Sequence, residues 1–295
     1  MNTPRKKIRK AIIPAAGYGT RFLPQVKAMP KEMLPIVDKP IIQYVVEEVV
    51  ASGVKDVIIV TNWQKRSLED HFDNSFELEE KLKESGKIKE LEEIKRIANL
   101  ANFIYIRQKG PYGNATPVLC AEPAIGDEPF VVIWGDEFIH ANPPRLKQMI
   151  DVYNKYGGVV ISGVRIANKK DVSRYGIADV DKVAKGVFKI KEIVEKPNPE
   201  DAPSNLATHG AYILPPETFK AIRSLKSGKG GEVWLVDAIN VLQKQGVPIY
   251  ACEIKNGKYY DTGNKLEYLK TVIDFGLKDK EFGQDLKKFL KELKI

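Results

Sequence analysis

The chain has 295 residues, 43% of them hydrophobic and 29% charged, with a formal net charge of +8. A chain of this length buries a sizeable core without staples, and the composition excludes disordered and fibrous classes. Two cysteines, Cys120 and Cys252, only three histidines and no CxxC pair argue against a zinc site, and no apolar run is long enough to span a bilayer.

The basic start (Arg5, Lys6, Lys7, Arg9, Lys10) reads as a solvated terminus. It lacks the aromatic interleaving of a nucleic-acid binder, and Pro14 and Gly17 interrupt the apolar stretch too early for a secretory leader. Free thiols in apolar contexts fit a reducing cytoplasm, and the expectation is a cytoplasmic protein that binds neither membrane nor nucleic acid.

Residues 10–15, 56–62, 102–108 and 130–136 are short β-branched runs that predict strands buried on both faces. Between them, 41–53 predicts a helix stopped at Gly53, and the charged stretch 75–100 predicts two surface helices broken near Gly86. Strand alternating with helix argues for an α/β fold with a mainly parallel sheet. After Gly157 strands follow one another with few helices between them, which predicts antiparallel additions. Residues 232–246 predict a helix, VPIYACEI and the run ending in YYDTG two more strands, and two helices close the chain. The simplest division is one body over 1–262 with a helical extension over 263–295.

In an open α/β sheet, ligands bind beyond the carboxyl ends of the strands. Gly17, Tyr18, Gly19 and Thr20 follow the first strand at that end, where glycines let backbone N–H groups approach phosphate oxygens. Phe22 stands where a dinucleotide fingerprint needs its third glycine, and the GK[ST] ending of a Walker A loop is missing. Instead Arg21, Lys27 and Lys31 follow, spaced through Pro24, Pro30 and Pro35, which predicts a stiff, extended loop carrying fixed cations. Such a loop suits a triphosphate. No Ser/His/Asp or Cys/His set accompanies it.

These residues carry a resemblance. GYGTRFLPQVKAMPKEMLPIVDKPIIQYVVEE, HFDNSFELE, RQKGPYGNATPVLCA, WGDEF, YGIADVD, VEKPNPEDAPSNLATHGAYIL, GGEVWLVDAI and YYDTGNKLEYL, in that order, resemble the nucleoside-diphosphate-sugar pyrophosphorylases, and within them the uridylyltransferases. The likeness covers nearly the whole chain. It implies a Rossmann-like mixed sheet flanked by helices, UTP and glucose 1-phosphate as substrates, Mg2+ as cofactor and a homo-oligomer, dimer or tetramer. It further implies that Ala15, Ala16 and Gly17 cradle base and ribose, that Gly19, Thr20 and Arg21 meet the phosphates, and that Lys31 grips the triphosphate beside Glu32. Gln108 is expected at the uracil edge with Gly113 below the ring. Asp136 and Asp261 are expected to hold the metal, Lys196 the sugar's phosphate, and Glu195, Gly176 and Asn205 the sugar. Val26, the run Ala115–Val118, Gly231 and Trp234 depart from the family pattern.

Overall fold

The computed structural model describes residues 5–226 and 231–293. Strand β1 (Lys10–Pro14) leads into three 3-10 turns at Thr20–Phe22, Gln25–Lys27 and Lys31–Met33, then a small ladder of β2 (Pro35–Ile36) and β3 (Lys39–Pro40) and helix α1 (Ile41–Ala51). Next come β4 (Asp56–Thr61), α2 (Arg66–His71), α3 (Phe76–Glu84), α4 (Ile88–Ala98) and β5 (Asn102–Arg107). Helices α5 (Thr116–Cys120) and α6 (Glu122–Ile125) precede β6 (Phe130–Ile133), β7 (Phe138–Ala141) and α7 (Arg145–Tyr156). The second half holds β8 (Val159–Arg165), β9 (Gly176–Ala184), β10 (Val187–Glu195), β11 (Leu206–Leu214), α8 (Glu217–Ser224), α9 (Leu235–Lys244), β12 (Ile249–Glu253) and β13 (Gly257–Tyr260). Helices α10 (Lys265–Gly276) and α11 (Gly283–Glu292) follow.

Nine strands form one sheet in the order β5-β4-β1-β6-β11-β8-β12-β10-β9. From β5 to β6 every pairing is parallel; β11 then runs antiparallel to both β6 and β8, and β9 and β10 form an antiparallel pair at the far side. This is the mixed α/β sheet that strand–helix alternation predicts, with the antiparallel additions after Gly157. Successive residues of a strand point to opposite faces. Accordingly Ile13, Ile59 and Val131 pack on one side with Val45 and Met149 from α1 and α7, while Ile12, Ile58 and Val132 pack on the other with Val118 and Ile239 from α5 and α9.

Two expectations need correction. Strand β5 is not buried on both faces: it ends the sheet, and its residues are half-buried or exposed. The proline-rich loop after β1 is not extended. Prolines forbid a regular helix but not isolated 3-10 turns, and three of these wind the loop into a compact coil. Helices α2, α5, α6, α7 and α8 escaped sequence reading altogether.

Helix α7 brings the most unusual core group. Arg145, its first residue, is completely buried. Its guanidinium donates to Glu48 Oε1 and Oε2 (3.0 and 3.1 Å) and to Glu137 Oε1 (2.8 Å). Gly210, with φ +31°, presses against Glu137, where a Cβ would collide with its carboxylate. This network therefore clamps the chain immediately after Asp136.

Candidate active site

The carboxyl ends of β1, β5 and β6 open into a cavity of about 400 Å³. Its wall includes Ala16, Gly17, Lys31, Glu32, Gln108, Gly113 and Asp136, seven of the expected site residues, from four separate stretches of chain. Strand pairing to β4 continues past the ends of β1 and β5: the Ala15 N–H donates to Val60 O (2.8 Å) and the Gln108 N–H to Thr61 O (2.8 Å), while the Asn62 amide donates to Ala16 O (2.7 Å). These bonds hold the turn rigid before any ligand arrives.

Gly19 has φ +64°, and a Cβ there would lie 3.1 Å from the Lys31 stem. Glycine thus serves both the left-handed turn and the passage of Lys31 across it. Arg21 is exposed on the same coil, near enough for its charge to oppose that of Lys31. Thr20 faces a neighbouring cavity that it shares with Lys27 and Lys65.

Three ion pairs stand at this end of the sheet, and of their members Lys31, Glu32 and Asp136 line the cavity. Lys65, nearly buried, donates to both oxygens of buried Glu32 (2.9 and 2.8 Å). Lys31 Nζ lies 2.5 Å from Asp136 Oδ2, and Arg174 lies 3.3 Å from Asp261 Oδ2. Burial works against the charged Lys31 ammonium, but the Asp136 and Glu32 carboxylates outweigh it and its pKa rises. Burial pushes Glu32 up and Lys65 down, with their mutual attraction opposing both shifts. Burial also raises the Asp261 carboxyl, against the Gly263 N–H and Arg174.

Asp136 and Asp261 converge although 125 residues separate them. Each stands beside one end of the β7–β13 ladder, where Phe138 pairs with Tyr260, and the Thr262 hydroxyl donates to Asp136 O (2.5 Å). A Cβ placed on Gly263 would lie 3.4 Å from Asp261 Oδ1 and 3.5 Å from Asp136 Oδ2, so both carboxylates face one point. Among the described residues no cluster of three His, Cys, Asp or Glu side chains could cage a metal. Two carboxylates with room for substrate phosphates fit the requirements of Mg2+, which prefers that arrangement to an all-protein cage.

The expected sugar residues lie on the antiparallel side. Gly176 pairs with Glu195 across β9 and β10, and a Cβ on Gly176 would touch Glu195 Oε2 at 3.0 Å. Lys196 follows with φ +48°, its N–H donating to Tyr175 O (3.1 Å). A non-glycine residue held left-handed is uncommon and turns the side chain out of the strand pattern. Glu195 and Lys196 are exposed and 3.9 Å apart. They do not line the main cavity; Trp134, which does, packs on Tyr212, and the Glu195 charge acts on that phenol. Asn205 spends its amide on Arg165 (2.7 Å) and Ile166 O (3.3 Å).

Sequence reasoning missed Lys65, Arg174, Trp134 and Glu232. Lys65 and Trp134 follow strands at the carboxyl end, where the strand-end rule alone points to them. Glu232 lines the cavity and supplies an acid one residue beyond Gly231. Arg174 carries no local signal.

Comparison with known proteins identifies the family. The nucleotidyl transferase family matches residues 10–275. The chain is 48% identical to the Bacillus subtilis UTP–glucose-1-phosphate uridylyltransferase YngB over 290 residues, covering 98% of this chain and 96% of that protein. It is 48% identical to a Staphylococcus epidermidis UTP–glucose-1-phosphate uridylyltransferase, covering 98% and 100%. Among solved structures it is similar to a UTP-bound enzyme of this kind from Acinetobacter baumannii (TM-score 0.89, 36% identity, covering 97% and 99%). It is also similar to a UDP-glucose pyrophosphorylase complexed with UDP-glucose (TM-score 0.82, 43% identity, covering 92% and 100%). The chain belongs to the nucleotidyl transferase family, alongside the UTP–glucose-1-phosphate uridylyltransferases.

Proposed function

We propose that the protein transfers the uridylyl group of UTP to glucose 1-phosphate, giving UDP-glucose and pyrophosphate. The observation that carries this reading is the meeting of Lys31, Asp136 and Asp261 beside a cavity walled by Ala16, Gly17, Gln108 and Gly113. The names of the relatives support the choice of substrates. An oxygen of the sugar phosphate attacks the α-phosphorus, a new P–O bond forms, and the bond from the α-phosphorus to the bridging oxygen breaks. The electron pair leaves with pyrophosphate. A phosphate monoester is already mostly dianionic near neutrality, so no general base is required and no protein nucleophile intervenes. The remaining task is to align two polyanions and offset their repulsion.

Lys31 and Arg21 offer fixed positive charge to the triphosphate and the leaving pyrophosphate. Asp136 and Asp261 would hold Mg2+, which would supply positive charge to offset the negative charge building on the phosphates. The backbone from Ala15 to Thr20 receives the nucleotide, and Lys196 receives the sugar's phosphate with Gly176, Glu195 and Asn205 around the hexose. Exposed Leu266, Leu269 and Ile273 on α10, with Leu277 just past its end, support self-association, which light scattering measures directly.

If Lys196 binds the sugar's phosphate, Lys196→Ala raises KM for glucose 1-phosphate, with KM for UTP nearly unchanged. Losing one hydrogen bond to a charged group corresponds to about 1.5–3 kcal/mol, roughly a 10- to 150-fold effect. Unchanged kinetics would mean that Lys196 only pairs with Glu195.

The nucleotide panel tests the base. Thymine differs from uracil by one methyl, and an apolar contact of that size discriminates about 10–200-fold, so dTTP is used but less well than UTP. A purine presents a different edge to Gln108, and ATP and GTP are poor donors. Values of kcat/KM for UTP, dTTP, CTP, GTP and ATP at fixed glucose 1-phosphate decide it. A purine in first place overturns the uridylyl reading and leaves nucleotidyl transfer standing; dTTP in first place makes the enzyme a thymidylyltransferase.

A further inference from the structure

Trp234 has no assigned task. It is 44% exposed, yet it lines the main cavity together with Tyr112, Gly113 and Asn114. What holds it there comes from far away in sequence. Helix α9 starts at Leu235, and Trp234, in the extended N-cap position, makes no cap bond of its own. The Asn114 carboxamide oxygen accepts the Leu235 N–H at 2.7 Å instead. An asparagine 121 residues upstream therefore satisfies a helix end that its own neighbours leave open.

The backbone repeats the connection on both sides. The Val233 N–H donates to Tyr112 O (3.0 Å), and the Ala115 N–H donates to Val233 O (3.1 Å). Between these bonds Gly113 has φ +126°, and a Cβ on it would fall 2.2 Å from Val233 O. Any side chain at 113 would force the two segments apart. Residues 112–115 and 233–235 thus form one clasp at the cavity wall, closed by an amide side chain, two backbone bonds and a glycine.

We propose that Trp234 is a specificity-determining wall of the nucleoside end of the cavity, and that Asn114 is the positioning residue that holds it in place. The argument rests on the uridylyl-transfer reading, which puts the base beside Gln108 and Gly113, the loop to which Trp234 is tied. Glu195 and Lys196, expected at the sugar, lie outside this wall. An exposed indole in a cavity that takes a planar heterocycle has an evident use, since every base presents a π-face for stacking. Tyr112 and Tyr18, both exposed with ring centroids 6.4 Å apart, extend the aromatic surface at the same mouth.

The test uses Trp234→Ala, Asn114→Ala and Asn114→Asp in the full chain. Steady-state kinetics give separate KM values for UTP and glucose 1-phosphate, calorimetric titration of UMP gives affinity without turnover, and melting curves check folding. Trp234→Ala is expected to raise KM for UTP and weaken UMP binding about 10-fold or more. Asn114→Ala is expected to do so about 3–10-fold. Asn114→Asp, which keeps an acceptor for the Leu235 N–H, returns both to within about twofold of the parent. KM for glucose 1-phosphate stays within about twofold throughout. If Asn114→Ala lowers the melting temperature but leaves UTP and UMP untouched, Asn114 is merely a helix cap and the proposal falls. It falls equally if Trp234→Ala raises KM for both substrates alike. Should another nucleotide prove the better donor, the kinetics and titration are run with it and its monophosphate. The function reading then fails, while a nucleotide-selective loss still supports this inference.

Discussion

Asp136→Asn is expected to lower kcat by roughly 10³-fold or more, about 4 kcal/mol of transition-state stabilisation, while the protein remains folded. Two features give the substitution this weight. Asp136 and Asp261 face one point at the open end of the sheet, and asparagine leaves a neutral, weaker oxygen there. Asp136 also fixes Lys31 at 2.5 Å, and without the carboxylate the lysine loses the partner that aims it across the phosphate turn. Folding is spared because the side chain is partly open to solvent and asparagine is nearly isosteric. The measurement is pyrophosphate release from UTP and glucose 1-phosphate over a range of Mg2+ concentrations, beside circular dichroism and melting curves. Asp261→Asn belongs to the same unit, so the double variant should be little worse than the more damaged single one. An Asp136→Asn enzyme within fivefold of the parent at every Mg2+ concentration would remove this carboxylate from the chemistry.

The second large effect is on stability. Arg145→Met leaves Glu48 and Glu137 facing each other in the core with no counter-charge. Removing one partner of a buried ion network costs about 3–5 kcal/mol. At about 2.1 cal/mol/K of unfolding entropy per residue, a chain of this length loses roughly 5–8 °C in melting temperature. The loss should be relieved in part by adding Glu48→Gln, since the second change removes one of the stranded charges. A melting temperature within 1 °C of the parent for Arg145→Met would show that the network carries no net stability. Because Glu137 directly follows Asp136, the same variant is expected to lose activity before it loses its fold.

Much of this was legible in the sequence, for physical reasons that differ by region. Strands 10–15, 56–62 and 130–136 announce themselves because both faces are buried and both must be apolar. Helix α1 is legible from its stop at Gly53, and the break between α3 and α4 from Gly86, whose φ of +70° explains the choice of residue. Strand β5 misled because apolar content marks a strand but not its place in the sheet. Helix α7 was invisible because Arg145 at its start masks a buried position with a charge. In the site, Lys31 and Asp136 each follow a local cue, a glycine turn and a strand end. Arg174 meets Asp261 only through the β9 side of the fold, and no local pattern encodes that contact. The clasp of Asn114 and Leu235 is of the same long-range kind.

The open ends of the sheet have a consequence for how the protein behaves in a crowded solution. A free strand edge is a template for another chain; β5 is such an edge at one end of the nine-stranded sheet, and at the other β9 is free only past its first residues, which pair back to β11. Here each is blunted by a different means. Strand β9 carries Asp179, Asp181 and Lys182, its register with β10 slips at two places, and its first residues are already paired to β11. Bulges and alternating charge deny an incoming strand a flat, apolar row. Strand β5 ends in Arg107, tied to Glu69, and begins with Asn102, tied to Asp56, so polar groups flank its aromatic centre of Phe103 and Tyr105. Those flanks act as gatekeepers. Replacing Arg107 and Asn102 by valine would leave the cavity intact and convert this edge into a nucleus for aggregation.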